Sequence, residues 1–136
     1  MEIKLDPIES EDFFHAALCN GAGEIAQYGF ELDYSNEKYR EAKDSLLKKQ
    51  ESGEFSGMMI CREDIWMEIL RVGGTLTLVD TENKGEYTST ISRKDVWEGV
   101  QQSPANHLFD MANDRDDAIT AYVILQTVFF NDVVFG

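Results

Sequence analysis

A chain of 136 residues with 43% hydrophobic content points to one domain, large enough to bury a core without help from metals or disulfides. Its 26 acidic and 12 basic residues give a formal charge of −14, a field that repels nucleic-acid phosphates and argues against direct nucleic-acid binding. No apolar run approaches the ~20 residues needed to cross a bilayer.

The acidic excess is uneven: residues 1–37 carry net −8, residues 38–94 are neutral, and residues 95–136 carry net −6. An acidic face serves solubility, or it presents carboxylates to a basic partner. Cys19 and Cys61 are too few and too far apart in sequence for a metal knuckle. With no signal peptide in Met1-Glu2-Ile3-Lys4, both are expected as reduced thiols in a cytoplasmic protein.

In chain order, Ser10 precedes two acids and the apolar set Phe13, Phe14, Ala17 and Leu18, which predicts a helix from about 10 to 20. Asn20-Gly21 reads as its stop. Tyr28, Phe30 and Leu32 alternate with Gly29, Glu31 and Asp33, a strand period. Ser35-Asn36 then caps a charged helix from Glu37 to about Glu51, with Tyr39, Ala42, Leu46 and Leu47 as its apolar stripe. Gly53 to Gly57 is a predicted loop, and Met58-Met59-Ile60 a short strand or helix approach.

Ile65, Trp66, Ile69 and Leu70 predict a helix over 62–72, closed by Gly73-Gly74. Residues 75–80 and 86–91 are β-branched and alternating, and the polar loop between them predicts a hairpin, 75–91. Ser92 caps a helix to about Gln102 that buries Val96, Trp97 and Val100, and Ser103-Pro104 stops it. A short helix around 105–112 leads to the last one, 117–131. The fold class is α+β, a small antiparallel sheet of about three strands packed with about six helices.

From Ala118 to Phe130 ten of thirteen residues are apolar, so this helix is expected at the centre of the core. An apolar tail follows it. One small sheet and a few helices are expected to leave part of this surface uncovered. A homodimer or higher homo-oligomer using Tyr122, Phe129, Phe130, Val134 and Phe135 is the expectation. The competing reading is that the chain covers all of it alone.

The chemistry-bearing residues are sparse. Asn20, Gly21, Gly23, Glu24 and Tyr28 suggest a turn whose backbone amides line a small-ligand site, with Arg71, Arg93 and Lys94 as the basic patch for an anionic ligand. The other reading of the glycines is a cap and turn. Asp110, Asn113, Asp114, Asp116 and Asp117 are oxygen-rich, but Arg115 and Ala121 stand where a calcium loop needs glycine and glutamate. No metal and no cofactor are expected. His15 and Cys19 share a helix face, and with Asp33 they form the best catalytic set, although no recognised hydrolase or redox motif contains them. Trp66, Trp97, Tyr28 and Tyr122 read as core or ligand-wall residues.

Residues 121–136, Ala-Tyr-Val-Ile-Leu-Gln through Val-Val-Phe-Gly, resemble the C-terminus of a family of small, uncharacterised bacteriophage proteins. Those end in a Val-Ile-Leu-Gln helix, Phe-Gly-Glu and Val-Val-Phe/Tyr-Gly. Residues 17–28 resemble the family's Leu-x-x-Ala-Leu-Glu-Gly-Gly helix end, and residues 69–74 its middle element. Here Asn131-Asp132 replaces Gly-Glu, Tyr122 replaces an Asp, Ala22 splits the glycine pair, and the helix over 36–52 is an insertion. The resemblance covers about a third of the chain. It implies a phage or prophage origin, with expression in a bacterial cytoplasm, and carries no activity with it. The function expected is a non-enzymatic accessory protein, of counter-defence type, that binds a small host-derived nucleotide signal. The alternative is an acidic inhibitor that mimics nucleic acid against a basic host protein.

Overall fold

The computed structural model describes residues 4–54, 59–82, 84–115 and 117–132, apart from the side chains of residues 22 and 24. Six helices and three strands are formed among the described residues: α1 (Pro7–Gln27), β1 (Phe30–Asp33), α2 (Asn36–Ser52), α3 (Arg62–Arg71), β2 (Leu76–Asp80), β3 (Ser89–Ile91), α4 (Arg93–Val100), α5 (Ala105–Ala112) and α6 (Ala118–Phe130). The sheet is antiparallel in the order β1-β2-β3, with Leu32 opposite Leu78 and Leu76 opposite Ile91. The α+β class is as expected.

The first helix departs most from its expected bounds. It starts at Pro7, because Asp6 caps it: the Asp6 side chain accepts the Glu9 N–H at 2.8 Å and Glu9 accepts the Asp6 N–H at 3.3 Å. Pro7 sits where its missing N–H costs nothing. Ser10, expected as the cap, is buried in the first turns instead. The helix then runs through Asn20-Gly21 to Gln27. Gly21 is not a stop. A Cβ there would lie 3.0 Å from Leu125 Cδ1 and 3.2 Å from the Ala121 backbone, so this glycine lets α1 press against α6.

The hairpin is shorter than its sequence pattern. Asp80 is buried at the end of β2, and its carboxylate accepts the backbone N–H groups of Glu82 and Tyr87, both at 3.1 Å. The Thr88 hydroxyl accepts the Asp80 N–H. These side-chain bonds take the place of ladder bonds, and β3 begins only at Ser89. The bounds of α2 through α6 agree with expectation to within two residues. The α2 caps are Ser35, which accepts the Lys38 N–H, and Gly53 in the left-handed conformation. The apolar approach over 58–60 forms no strand at its described residues Met59 and Ile60; Met58 lies outside the described residues.

α6 is the centre. Every residue from Thr120 to Phe129 is buried, covered by α1, α4, α5 and β3 of the same chain. Asp117 caps it by accepting the Thr120 N–H at 2.9 Å. This corrects the basis of the expected dimer. Tyr122 and Phe129 are buried in the chain's own core: Tyr122 stacks on Tyr28, and Phe129 packs on Phe14. Phe130 is half-buried against Phe30 and Tyr87. Burial of about 1.5–3 kcal/mol per large apolar side chain is therefore already realised within one chain. Val134 and Phe135 lie outside the described residues.

Candidate functional site

A cavity of about 470 Å³ opens beside the sheet, where α1, β1, α3 and α6 meet. Leu18, Gly23 and Ile25 line it from α1, Phe30 and Leu32 from β1, Arg62 and Trp66 from α3, and Leu125 and Phe129 from α6; Tyr34 follows β1. Its size and apolar walls with few polar groups fit a small organic ligand. Strand alternation supplies Phe30 and Leu32 on one face. Helical spacing supplies Arg62 and Trp66 one turn apart.

The polar groups of the lining are few. Trp66 is 94% buried, with 6% relative exposure, and its indole N–H has no acceptor among the described residues. The Arg62 guanidinium lies 4.9 Å from the Trp66 ring centroid and is held by Glu63 at 3.1 Å. Tyr34 is tilted toward Trp66 at 6.4 Å and stacks on Tyr39 at 5.3 Å. Glu31 is exposed at the rim. The result is an aromatic wall with one buried donor and one cation.

The expected ligand residues are split by the fold. Gly23 lines the cavity; Gly21 is sealed under α6; Asn20 is exposed; Tyr28 is stacked on Tyr122. Glu24 lies in α1, and its side chain is outside the described residues. Arg71 and Arg93 do not form an anion-binding patch with them. Both bind Glu11, Arg71 through Nε at 2.7 Å and Arg93 through Nε at 2.9 Å, and Trp97 Nε1 donates to the same carboxylate at 2.8 Å. Glu11 and Gly23 are twelve positions apart on one helix, about 18 Å. Lys94 is exposed and faces Glu98 at 3.7 Å.

Arg71 also reaches Glu68, at 3.4 Å, and Glu68 is fully buried with Lys49 and Ser45 on its other oxygen at 2.7 and 2.6 Å. For Glu11 and Glu68 alike, burial raises the carboxyl pKa. Hydrogen bonds and nearby cations outweigh that effect and hold both below the ordinary carboxylate range. This network ties α1, α2, α3 and α4 together and is structural.

His15 and Cys19 lie one turn apart on α1, but Asp33 is not their partner. His15 Nε2 meets Asp64 Oδ1 of α3 at 2.7 Å. Cys61 adjoins them: its thiol and the His15 and Asp64 donor atoms all lie within 4.8 Å of one another. Asp110 pairs with Arg115 at 3.8 Å and Asp117 caps α6, while Asp116 lies outside the described residues.

Arg62, Tyr34 and Asp64 were not singled out by the sequence. Arg62 and Asp64 look there like ordinary first-turn charges of a helix. Trp66 was legible only as a core or ligand-wall residue. No family model, curated protein or solved structure matches the chain.

Proposed function

We propose that this protein binds a small ligand with a planar ring and a negative charge in the cavity between α1, β1, α3 and α6. The observation that carries the reading is Trp66: a buried ring in the cavity wall whose N–H has no acceptor among the described residues, with the Arg62 guanidinium over its face. A buried donor left without a partner costs about 1–3 kcal/mol, and a ligand acceptor removes that cost. Arg62 is the cation of the described lining; Glu63 holds its Nε, so an anionic ligand competes with Glu63 for the guanidinium. A nucleotide fits this description, with its base against Trp66 and Tyr34 and its phosphate at Arg62. The reading is of a binding protein. A phage accessory role of counter-defence type is part of the proposal and rests on the sequence resemblance alone.

The test is thermal unfolding with a panel of nucleotides and cyclic dinucleotides. A ligand at a hundred times its Kd stabilises by about 2.7 kcal/mol. In a Trp97→Phe background Trp66 is the sole tryptophan, so its fluorescence reports occupancy of the cavity. No shift with any nucleotide and no change in Trp66 emission would remove the nucleotide reading.

A further inference from the structure

The residues around His15 form a second cluster that the cavity does not use. We propose that His15, Cys61 and Asp64 form a binding site for a zinc-class divalent transition-metal ion, with a fourth coordination position open. The three donor atoms come from α1 and from the N-cap and first turn of α3, and lie within 4.8 Å of one another. Tetrahedral zinc with Zn–N near 2.0 Å and Zn–S near 2.3 Å places neighbouring donors about 3.3–3.8 Å apart. The His15–Asp64 pair, at 2.7 Å, opens slightly to admit the ion, and the Cys61 thiol closes in by a side-chain rotation.

The surroundings have the form of a metal site. Asp64 Oδ2 accepts the Cys61 backbone N–H at 3.0 Å, which leaves Oδ1 directed at His15. Such an outer hydrogen bond orients a ligating carboxylate. Imidazole, thiolate and carboxylate together suit zinc or cobalt and not calcium or magnesium, which take oxygen ligands. His15 and Asp64 are partly buried while Cys61 is exposed, so an ion has a route in. Cys61 stands at the N-cap of α3, in a capping box with Asp64, which fixes the thiol beside the Asp64 carboxylate. On binding, Cys61 loses its thiol proton to solvent and coordinates as thiolate. His15 coordinates through the Nε2 lone pair, with its N–H on Nδ1.

Distance in sequence hid this site, since 46 positions separate His15 from Cys61 and 49 separate it from Asp64. The site is independent of the cavity reading, and its test uses the metal alone. Reduced, chelator-treated protein is titrated with Co²⁺ and followed by absorbance. One equivalent is expected to bind with a sulfur-to-cobalt charge-transfer band. Cys61→Ser abolishes the band, and Cys61→Ser and His15→Ala each weaken binding more than about tenfold, the scale on which even outer partners of a ligand act. Cys19→Ser keeps the band. Cys61 is exposed, so its serine variant is expected to keep the fold, checked by circular dichroism. Absence of the band in the wild type, its persistence in Cys61→Ser, or its loss in Cys19→Ser overturns the assignment.

Discussion

Arg71 donates its Nε–H to Glu11 at 2.7 Å and, through Nη1, reaches Glu68 at 3.4 Å, so one guanidinium joins two buried carboxylates from different helices. The two ends are not equally dependent on it. Glu11 keeps Arg93 and Trp97 without Arg71, and Glu68 keeps Lys49 and Ser45. Glu11 is the hub, because two arginines and an indole converge on it.

Glu11→Ala is therefore expected to destabilise by about 3 kcal/mol, the low end for breaking a buried pair, since Arg71 and Arg93 retain some access to water. Arg71→Met is expected to cost about half of that, because each carboxylate keeps other donors. Urea unfolding gives both values. If Arg71→Met costs more than Glu11→Ala, the hub is misassigned.

The same carboxylates set an acid limb. Glu11 and Glu68 both titrate below their unfolded value of 4.5 in the folded chain. Between the two values the unfolded state binds more protons. Their contribution is thus fully present above the unfolded pKa and is lost as pH falls through the folded pKa. Thermal midpoints from about pH 7 to about pH 3 should fall steeply below 4.5, and less steeply in Glu11→Gln. Parallel curves for the two proteins would exclude Glu11 as a source of the acid limb.

Much of this fold was legible because its signals are local. Ser35 and Gly53 bracket α2, Asp117 opens α6, and the alternation in 75–80 marks β2. Gly21 misled because a glycine serves a helix stop and a close helix crossing equally well, and only the position of α6 distinguishes them. Asp6 and Glu9 did carry the true start of α1 as a capping box around Pro7. The site was less legible. Arg62 and Trp66 meet Gly23 only through packing of α1 against α3, and Arg71 and Arg93 are drawn inward by Glu11. A cation's availability to a ligand depends on which carboxylate claims it, and that is a tertiary fact.

Asp80 provides a test of the hairpin. It is buried and accepts the N–H groups of Glu82 and Tyr87. Asp80→Ala leaves both amides without that acceptor and is expected to cost about 1–3 kcal/mol. Hydrogen exchange should quicken first at Tyr87, which is half-buried, before any loss of helical signal. Unchanged protection at Tyr87 would mean that the turn holds without the carboxylate.

Gly21 and Gly23 lie two positions apart in the same helix and should respond oppositely to the same substitution. Both carry the helix-interior penalty of glycine, about 0.5–1 kcal/mol relative to alanine. At Gly23 an added Cβ meets nothing within 4 Å, so Gly23→Ala recovers that amount. At Gly21 the Cβ meets Ala121 Cβ at 3.1 Å and the Ala121 carbonyl carbon at 3.2 Å. Neither atom moves without moving α6, and overpacking of about 1–3 kcal/mol outweighs the propensity gain. Gly21→Ala is expected to lower the unfolding midpoint and Gly23→Ala to raise it. Gly23 also lines the cavity, and a Cβ on it meets open space, so Gly23→Phe adds a ring at the cavity's edge. That variant should keep its fold by circular dichroism and lose any ligand-induced change in Trp66 fluorescence. A Gly23→Phe protein that binds like the wild type would count against a ligand at this edge of the cavity, whatever the two alanine variants show.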